Sequence, residues 1–497
     1  MGNWTIFYFK HPFWDKRFSV NFTAVYTEPS DTCNMAGIRL RDVFSIHFAL
    51  TKELTDVRIG LRYFKRRAKM GEVSEVLNVL QILFDGFSKN FRIELWDGTE
   101  IPADGDAEFT LKINYPCSLW HALVPPTDLS MGEAYIYNLI DIKGNIFQVF
   151  PVAEKLKEKF KNPSLAAKLG VHLLKLKKYD KECKNAIREK REARLKGKKH
   201  SIERDREAIS YHYDVSNEFY KLFLDKNLVY SCAYFPTGEE DLDRAQELKL
   251  DYICRKLRLK PGEKLLDIGC GWGALVIHAA KHYGVEAIGI TLSKNQYEYA
   301  NEWIKREGLQ DRAKVELLDY REVKAPEGGF DKLVSVGMFE HVGEEMLGLY
   351  FKKAWELLKP GGIFLNHGIA CRWKDCGFRE NSFTNKYVFP DGELLAISTT
   401  LKHAEQTGFE VRDVESLREH YARTLKFWVK RLEANHDEAL KYVDEVTYRI
   451  WRLYMAGSSY GFASGRHNLY QTILVKPDNG RSGMPWSRNY LYRDGKF

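Results

Sequence analysis

Lys264-Leu-Leu-Asp-Ile-Gly-Cys-Gly-Trp-Gly-Ala274 decides how the chain is read. A short apolar run ends in an aspartate, a glycine turn follows, and a helical pattern continues to about Tyr283. Gly269, Gly271 and Gly273, with Cys270 among them, allow a sharp turn and a close backbone approach to a ligand, which a Cβ would obstruct. Asp267 sits just before the turn, where a carboxylate accepts bonds from loop amides or meets a cationic ligand. The spacing Gly-x-Gly-x-Gly is one residue short of the Gly-x-Gly-x-x-Gly that seats a pyrophosphate on a helix N-terminus. That difference favours S-adenosylmethionine (SAM), which carries no phosphate, over a dinucleotide. A purely structural turn is the alternative, and the neighbouring segments decide between them.

Strand-like runs at 264–268, 286–290, 314–318, 332–336 and 363–366 alternate with helical patterns, notably 294–307 and 344–358. Such alternation predicts a parallel sheet with helices on both faces, with ligands beyond the carboxyl ends of the strands. A dinucleotide enzyme places an acidic residue after the second strand. Here Thr291, Leu292 and Gln296 stand in a segment without a carboxylate, able to offer neutral bonds to ribose. Ser293 there also reads as a helix N-cap. After the third strand, Asp319 can accept from an exocyclic amine and Tyr320 can stack on adenine; a turn carboxylate beside a core aromatic is the bland alternative. Glu340 and His341 follow the fourth strand, and His367 ends the fifth. A carboxylate at such a place holds a cation or orients a base, whereas a lone histidine is more often structural.

Four motifs in order carry a resemblance: Leu228-Val-Tyr-Ser-Cys-Ala-Tyr-Phe235, Leu266-Asp-Ile-Gly-Cys-Gly-Trp-Gly273, Thr291-Leu-Ser-Lys-Asn-Gln296 and Ser335-Val-Gly-Met-Phe-Glu-His-Val-Gly343. Together they resemble the cyclopropane-fatty-acyl-phospholipid synthases and the related mycolic acid cyclopropane synthases and methyltransferases. The likeness runs from about Tyr211 to Lys476 and, more weakly, over 73–150, where Met131-Gly-Glu-Ala-Tyr135 matches the family's N-terminal domain. It implies an α/β, Rossmann-like class I SAM-dependent methyltransferase domain and a smaller α+β N-terminal domain. It also implies a reaction in which a cis double bond of an acyl chain attacks the SAM methyl, and a bound bicarbonate removes a proton from the resulting cation so that the ring closes. The resemblance assigns bicarbonate to Cys232, Glu340, His367, Ile369 (through its backbone) and Tyr421. It assigns SAM to Tyr230, Ser231, the glycine loop, Thr291 to Gln296, and Tyr320 with Arg321. An alkene is a poor nucleophile, so a dry pocket and close alignment must supply most of the rate. Cys232 also reads as a buried small hydrophobe. The stretch 454–460, where some relatives have a cysteine, has none here, which excludes a covalent cysteine mechanism at that position. A methyl-branched or methylene product, an amine acceptor, and a lipid-binding protein that has lost catalysis remain as alternatives.

A chain of 497 residues calls for two or three domains. The expected division is an extension over 1–72 without a legible motif, an α+β lipid-recruiting domain over 73–150, basic helices ending in a mobile linker over 151–208, a methyltransferase domain over 209–480 and a tail over 481–497. An inserted cap at about 371–456, rich in aromatics (Trp373, Phe378, Phe383, Tyr387, Phe389, Phe427, Trp428), is expected to roof an acyl channel. Between Glu154 and His200 there are 17 Lys/Arg against 6 Asp/Glu, so the net charge of +8 is regional. An anionic membrane carrying unsaturated phospholipids, not nucleic acid, is the expected partner of that face; a solvated helical surface is the alternative. A homodimer is compatible with the sequence. Eight cysteines without paired spacing argue against a disulfide framework, and Cys371 and Cys376 lack the second pair that a zinc site needs. With no long apolar run and no signal-like N-terminus, the expectation is a cytoplasmic protein held peripherally at the inner face of the membrane.

Overall fold

The structure, a computed structural model, describes residues 71–492 except 188, 189, 194, 214, 378 and 379. The N-terminal extension, all but its last two residues, and Phe378 of the cap therefore lie outside the described residues. Everything described belongs to one compact unit, Arg67–Phe497.

The small lobe begins with the helix Glu72–Phe84, whose Val73, Val76, Val79, Leu80 and Leu83 form one buried stripe at helical spacing. Its sheet contains β1 (Phe91–Leu95), β2 (Glu100–Ile101), β3 (Phe109–Ile113) and β4 (Ile140–Gly144), in the order β2-β1-β3-β4. The Asp97–Gly98 turn returns the chain as a short hairpin, with Asp97 Oδ1 accepting from the Thr99 amide at 3.0 Å. The next run does not fold back as a second hairpin: β3 lies parallel to β1, with Phe91 opposite Phe109 and their rings stacked 4.9 Å apart.

The basic segment is largely packed rather than free. Helix Pro163–Leu176 is capped by Asn162 and buries Leu169, Leu173 and Leu176. Glu75 of the first helix takes His172 and Lys175, each at 2.9 Å. Farther on, Ala193 N–H donates to Lys386 C=O at 2.8 Å and Lys196 N–H to Glu207 at 3.1 Å, so the expected mobile linker is tied down at both points. Cys183 is disulfide-bonded to Cys117, and Cys371 to Cys376, which overturns the expectation of no disulfides. The first pair is 66 residues apart, a separation that spacing does not reveal. Disulfides are rare in a reducing cytosol, so cysteine usage no longer supports the cytoplasmic expectation.

The large sheet comprises β5 (Lys264–Ile268), β6 (Glu286–Thr291), β7 (Ala313–Leu317), β8 (Phe330–Val336), β9 (Leu358–Cys371), β10 (Glu410–Ser416) and β11 (His467–Val475). Its order is β10-β11-β9-β8-β5-β6-β7, with β9 to β7 mutually parallel and β11 antiparallel to both neighbours. The sheet is therefore mixed, not wholly parallel. β9 runs 14 residues because β11 pairs it from Ile363 to Cys371. β10, at the edge, has the half-exposed polar sequence of an edge strand, which disguised it as part of the cap. The strand order reverses between β8 and β5, so their carboxyl ends open the crevice in which such sheets bind ligands.

Two long helices, Arg418–Ala434 and Glu445–Ala463, join the lobes. Arg452 donates to Tyr135 Oη at 2.7 Å, and Arg449 to the Tyr135 C=O and to Asp141, each at 3.0 Å. Tyr387 Oη donates to Glu133 at 2.8 Å, and the Phe383 ring packs on Gly132. The Met131–Tyr135 motif is thus a lobe-docking element. A Cβ at position 132 would overlap the Phe383 ring. Gly132→Ala should destabilise the chain by about 1–3 kcal/mol, read as a lower denaturant midpoint; an unchanged midpoint would show that the ring moves aside at no cost.

Candidate active site

The turn after β5 is built from left-handed glycines. Gly271 has φ +56°, and a Cβ there would meet nothing within 4 Å, so this glycine faces open space. Gly273 has φ +86° and its Cβ would sit 3.0 Å from Ala300 Cβ. It packs against the helix Lys294–Arg306 instead of lining the cavity. The amides of Gly269 and Cys270 both donate to the Ile290 carbonyl at 3.0 Å, tying the turn to β6.

A cavity of about 1180 Å³, part of it open to solvent, lies over this turn. Asp267, Gly269, Cys270 and Gly271 line it from β5, and Thr291, Leu292 and Gln296 from β6. Thr291 Oγ1 donates to Gln296 Oε1 at 2.7 Å, while Ser293 caps the next helix, so the cap and the ligand-facing roles coexist on one turn. Asp319, Tyr320 and Arg321 line it from β7, and Tyr230 and Ser231 from the segment before the helix Leu242–Leu257. Asp319 is not a free acceptor: Arg321 engages both its oxygens at 2.7 Å and reaches Asp205 at 2.9 Å. Tyr213, Lys249 and His341 also line the cavity. Lys249 was legible as a lysine on the apolar stripe of the helix Leu242–Leu257, where Leu242, Ala245, Tyr252 and Ile253 are buried.

The residues assigned to the anion do not line that cavity. Burial pushes the Glu340 carboxyl up to about 7. Its Oε1 accepts from the Ile369 amide at 2.6 Å, and its Oε2 is buried with no protein partner. The Ile369 N–H thus faces Glu340, the carboxylate that the resemblance assigns to the same anion. Burial raises Tyr421, Tyr454 and Tyr213, and each also feels the Glu340 charge; Tyr421 feels Cys232 as well. Burial drives the Cys232 thiol up, so it is protonated and not a nucleophile. His367, on the same face of β9 as Ile369, is held well below its ordinary value by burial and then by Lys249 and Lys256. The Gln471 amide donates to its Nδ1 at 3.1 Å, which leaves the ring proton on Nε2. Gln471 is oriented in turn by Lys256, whose Nζ reaches its Oε1 at 2.7 Å and also pairs with Glu415.

Both sets share short segments: Tyr230–Cys232 and the stretch after β8. Between them stands an aromatic wall. Tyr230 stacks on Trp428 at 5.1 Å and His212 at 5.6 Å, with Tyr230 Oη and Trp428 Nε1 buried and unpartnered. Of the aromatics expected to form a roof, Phe389 and Trp428 stand at this wall. Phe383 and Tyr387 serve the lobe interface, Phe427 stacks on Phe235 at 5.9 Å, and Trp373 is 75% exposed.

Glu340 holds its proton to about pH 7 in the folded chain and to about 4.5 otherwise. Its contribution to stability is complete below about pH 4.5 and lost as pH rises through about 7, an effect of roughly 3 kcal/mol at most. Glu340→Gln should therefore gain stability against the parent at pH 8 relative to pH 5, measured by denaturant titration at both values. An equal difference at the two would contradict the burial described.

The model of the family "Mycolic acid cyclopropane synthetase" matches residues 200–472, and that of a domain of unknown function (DUF7884) matches 79–164. A "Probable fatty acid methyltransferase" from Pseudomonas putida is 40% identical over 81% of this chain and 96% of its own length. Rv3720 of Mycobacterium tuberculosis, another probable fatty acid methyltransferase, is 36% identical over 82% and 96%. Among solved structures, the cyclopropane synthase MmaA2 from M. tuberculosis superposes with a TM-score of 0.52 at 33% identity, covering 54% of this chain and 97% of that one. The mycolic acid cyclopropane synthase CmaA1, complexed with SAH and CTAB, superposes at 0.51 and 34%, covering 54% and 97%. The cavity over the glycine turn fits SAM, with Gly271 open to it and the buried Asp267 Oδ1 unpartnered. The chain belongs to the mycolic acid cyclopropane synthetase family of SAM-dependent, lipid-modifying methyltransferases.

Proposed function

We propose that the protein transfers a methylene group from SAM to the cis double bond of unsaturated acyl chains in membrane phospholipids, forming cyclopropane fatty acids with bicarbonate as the base. The observation that carries this reading is the buried Glu340 Oε2, which has no protein partner and lies among Tyr421, Tyr454 and Tyr213. SAM, when bound, supplies an electrophilic methyl carbon on a sulfonium. The chain's own part is to position the reactants, exclude water and hold the base. Tyr230 and Trp428 wall off water, which a carbocation does not tolerate. His367, with its proton on Nε2, and the Tyr421 hydroxyl offer donors to a small anion, while Glu340 accepts the anion's own hydroxyl. A small enclosed base of this kind can sit closer to the acyl chain than a side chain on a rigid strand.

A second reading, a methyl-branched or methylene product from the same cation, is favoured by one finding: the relatives that span most of this chain are named fatty acid methyltransferases. Incubation with methyl-labelled SAM and monounsaturated phospholipid vesicles separates the two. Chromatography of the fatty-acid methyl esters should show a labelled ring. A labelled branch would establish the second reading, and no label would refute both.

The substrate is proposed to be met at an anionic membrane surface. No described helix is long and apolar enough to cross a membrane. On helix Pro163–Leu176, Val171 is 58% and Leu174 61% exposed, beside the exposed Lys168 and Lys175. Each lysine near such a surface contributes up to about 1 kcal/mol. Binding to anionic vesicles should weaken steeply as salt rises; salt-insensitive binding would contradict the electrostatic part of this reading.

A further inference from the structure

The excursion that leaves the carboxyl end of β9 carries a surface feature that the reaction scheme does not use. β9 pairs with β8 only as far as His367 and continues to Cys371, so it overruns its parallel neighbour at the end where such sheets bind ligands. The chain departs at Arg372 and returns at Leu395, and the base of the excursion is closed. Cys371 N–H donates to the Leu395 C=O at 3.1 Å, and Ala370 bridges Leu395. Farther along, Phe383 and Tyr387 are fixed on the small lobe. The first turn, Trp373–Asp375, is held separately, by the Cys371–Cys376 disulfide and by the Arg372–Asp375 ion pair. On this mount the Trp373 indole is 75% exposed, and its chain neighbours Arg372 and Lys374 are exposed as well.

Single exposed apolar side chains are ordinary, but a disulfide-closed turn holds this one outward and prevents its folding back. An indole has a large apolar body and one polar N–H, which suits the boundary between hydrocarbon and headgroups, and flanking cations suit anionic headgroups. We propose that the turn 372–375 is a membrane anchor. Trp373 enters the headgroup boundary of an anionic bilayer, Arg372 and Lys374 meet its phosphates, and the carboxyl end of β9 is held against the lipid. This rests on the phospholipid reading and adds a point of attachment separate from helix Pro163–Leu176. Ile369, which binds Glu340, precedes Trp373 by four residues, about 13 Å of extended strand at most. Anchoring here therefore places the buried carboxyl within reach of an acyl chain that is still part of the bilayer. Trp486 provides a contrast. It is also fully exposed, but Arg258 holds its segment through the Gly483 carbonyl at 2.6 Å, on the amino side of β5 and away from the ligand end.

Sedimentation with vesicles of monounsaturated phosphatidylglycerol and phosphatidylcholine tests the anchor. Trp373→Ala should weaken partitioning roughly 10-fold, by about the same factor at low and high salt. Lys374→Glu should weaken it at low salt only, and Trp486→Ala should leave it unchanged. Lipids brominated on the acyl chain should quench indole fluorescence of the unaltered chain, and Trp373→Ala should remove most of that quenching. Equal partitioning of Trp373→Ala and the unaltered chain would overturn the proposal. So would a loss of turnover in Trp373→Ala with partitioning intact, the result expected if the turn met a soluble acyl-carrying protein. Partitioning that depends on Trp373 without labelled product from methyl-labelled SAM would support the anchor and refute the reaction proposed for the site.

Discussion

The hydrogen bond from the Ile369 amide to Glu340 Oε1 ties the short helical turn after β8 to the long strand β9. Its effect is to hold one carboxylate oxygen and leave the other buried and unpartnered. A carboxyl in that state is poorly solvated and keeps its proton to about pH 7. β11 pairs β9 from Ile363 to Cys371, beyond His367 where the pairing with β8 ends, and so extends the strand to place Ile369 against Glu340. The Lys256–Gln471–His367 relay comes from the same pairing: Gln471 stands opposite His367 in the register, and the tautomer of the histidine follows from it.

Around this centre the molecule is organised to exclude water. The small lobe contributes no residue to the cavity over the glycine turn. It clamps the helix Glu445–Ala463, which carries Tyr454, through Tyr135 and Asp141, and that helix bonds the helix Arg418–Ala434, which carries Tyr421 and Trp428, through Ser459 and the Ala422 carbonyl. Loosening the lobe would therefore be felt at the aromatic wall before it reached the glycine turn.

The glycine turn, the five parallel strands and the residues at their carboxyl ends were legible because each is encoded locally, in spacing and alternation. What escaped was set by partners distant in sequence. β10 looked like cap because an edge strand needs no buried alternation, and β9 reads as ending at His367 because the partner that extends it to Cys371 lies about a hundred residues on. Cys117 and Cys183 carry no local signature of their bond. Asp319 reads as a free acceptor until Arg321 is seen to occupy both oxygens. That the Ile369 amide holds Glu340 is likewise invisible until the strands are paired. Lys249 offered a signal, a charge on an apolar stripe, but its place in the cavity wall depended on how the helix Leu242–Leu257 packs.

Turnover set against SAM affinity in Glu340→Gln tests the central claim most directly. If Glu340 acts at a second site beyond the SAM cavity, turnover on unsaturated phospholipid should fall by at least about 100-fold, the scale of a general acid–base contribution, while the SAM Kd changes by less than about 2-fold. Unchanged turnover, or a parallel loss of SAM binding, would contradict the account.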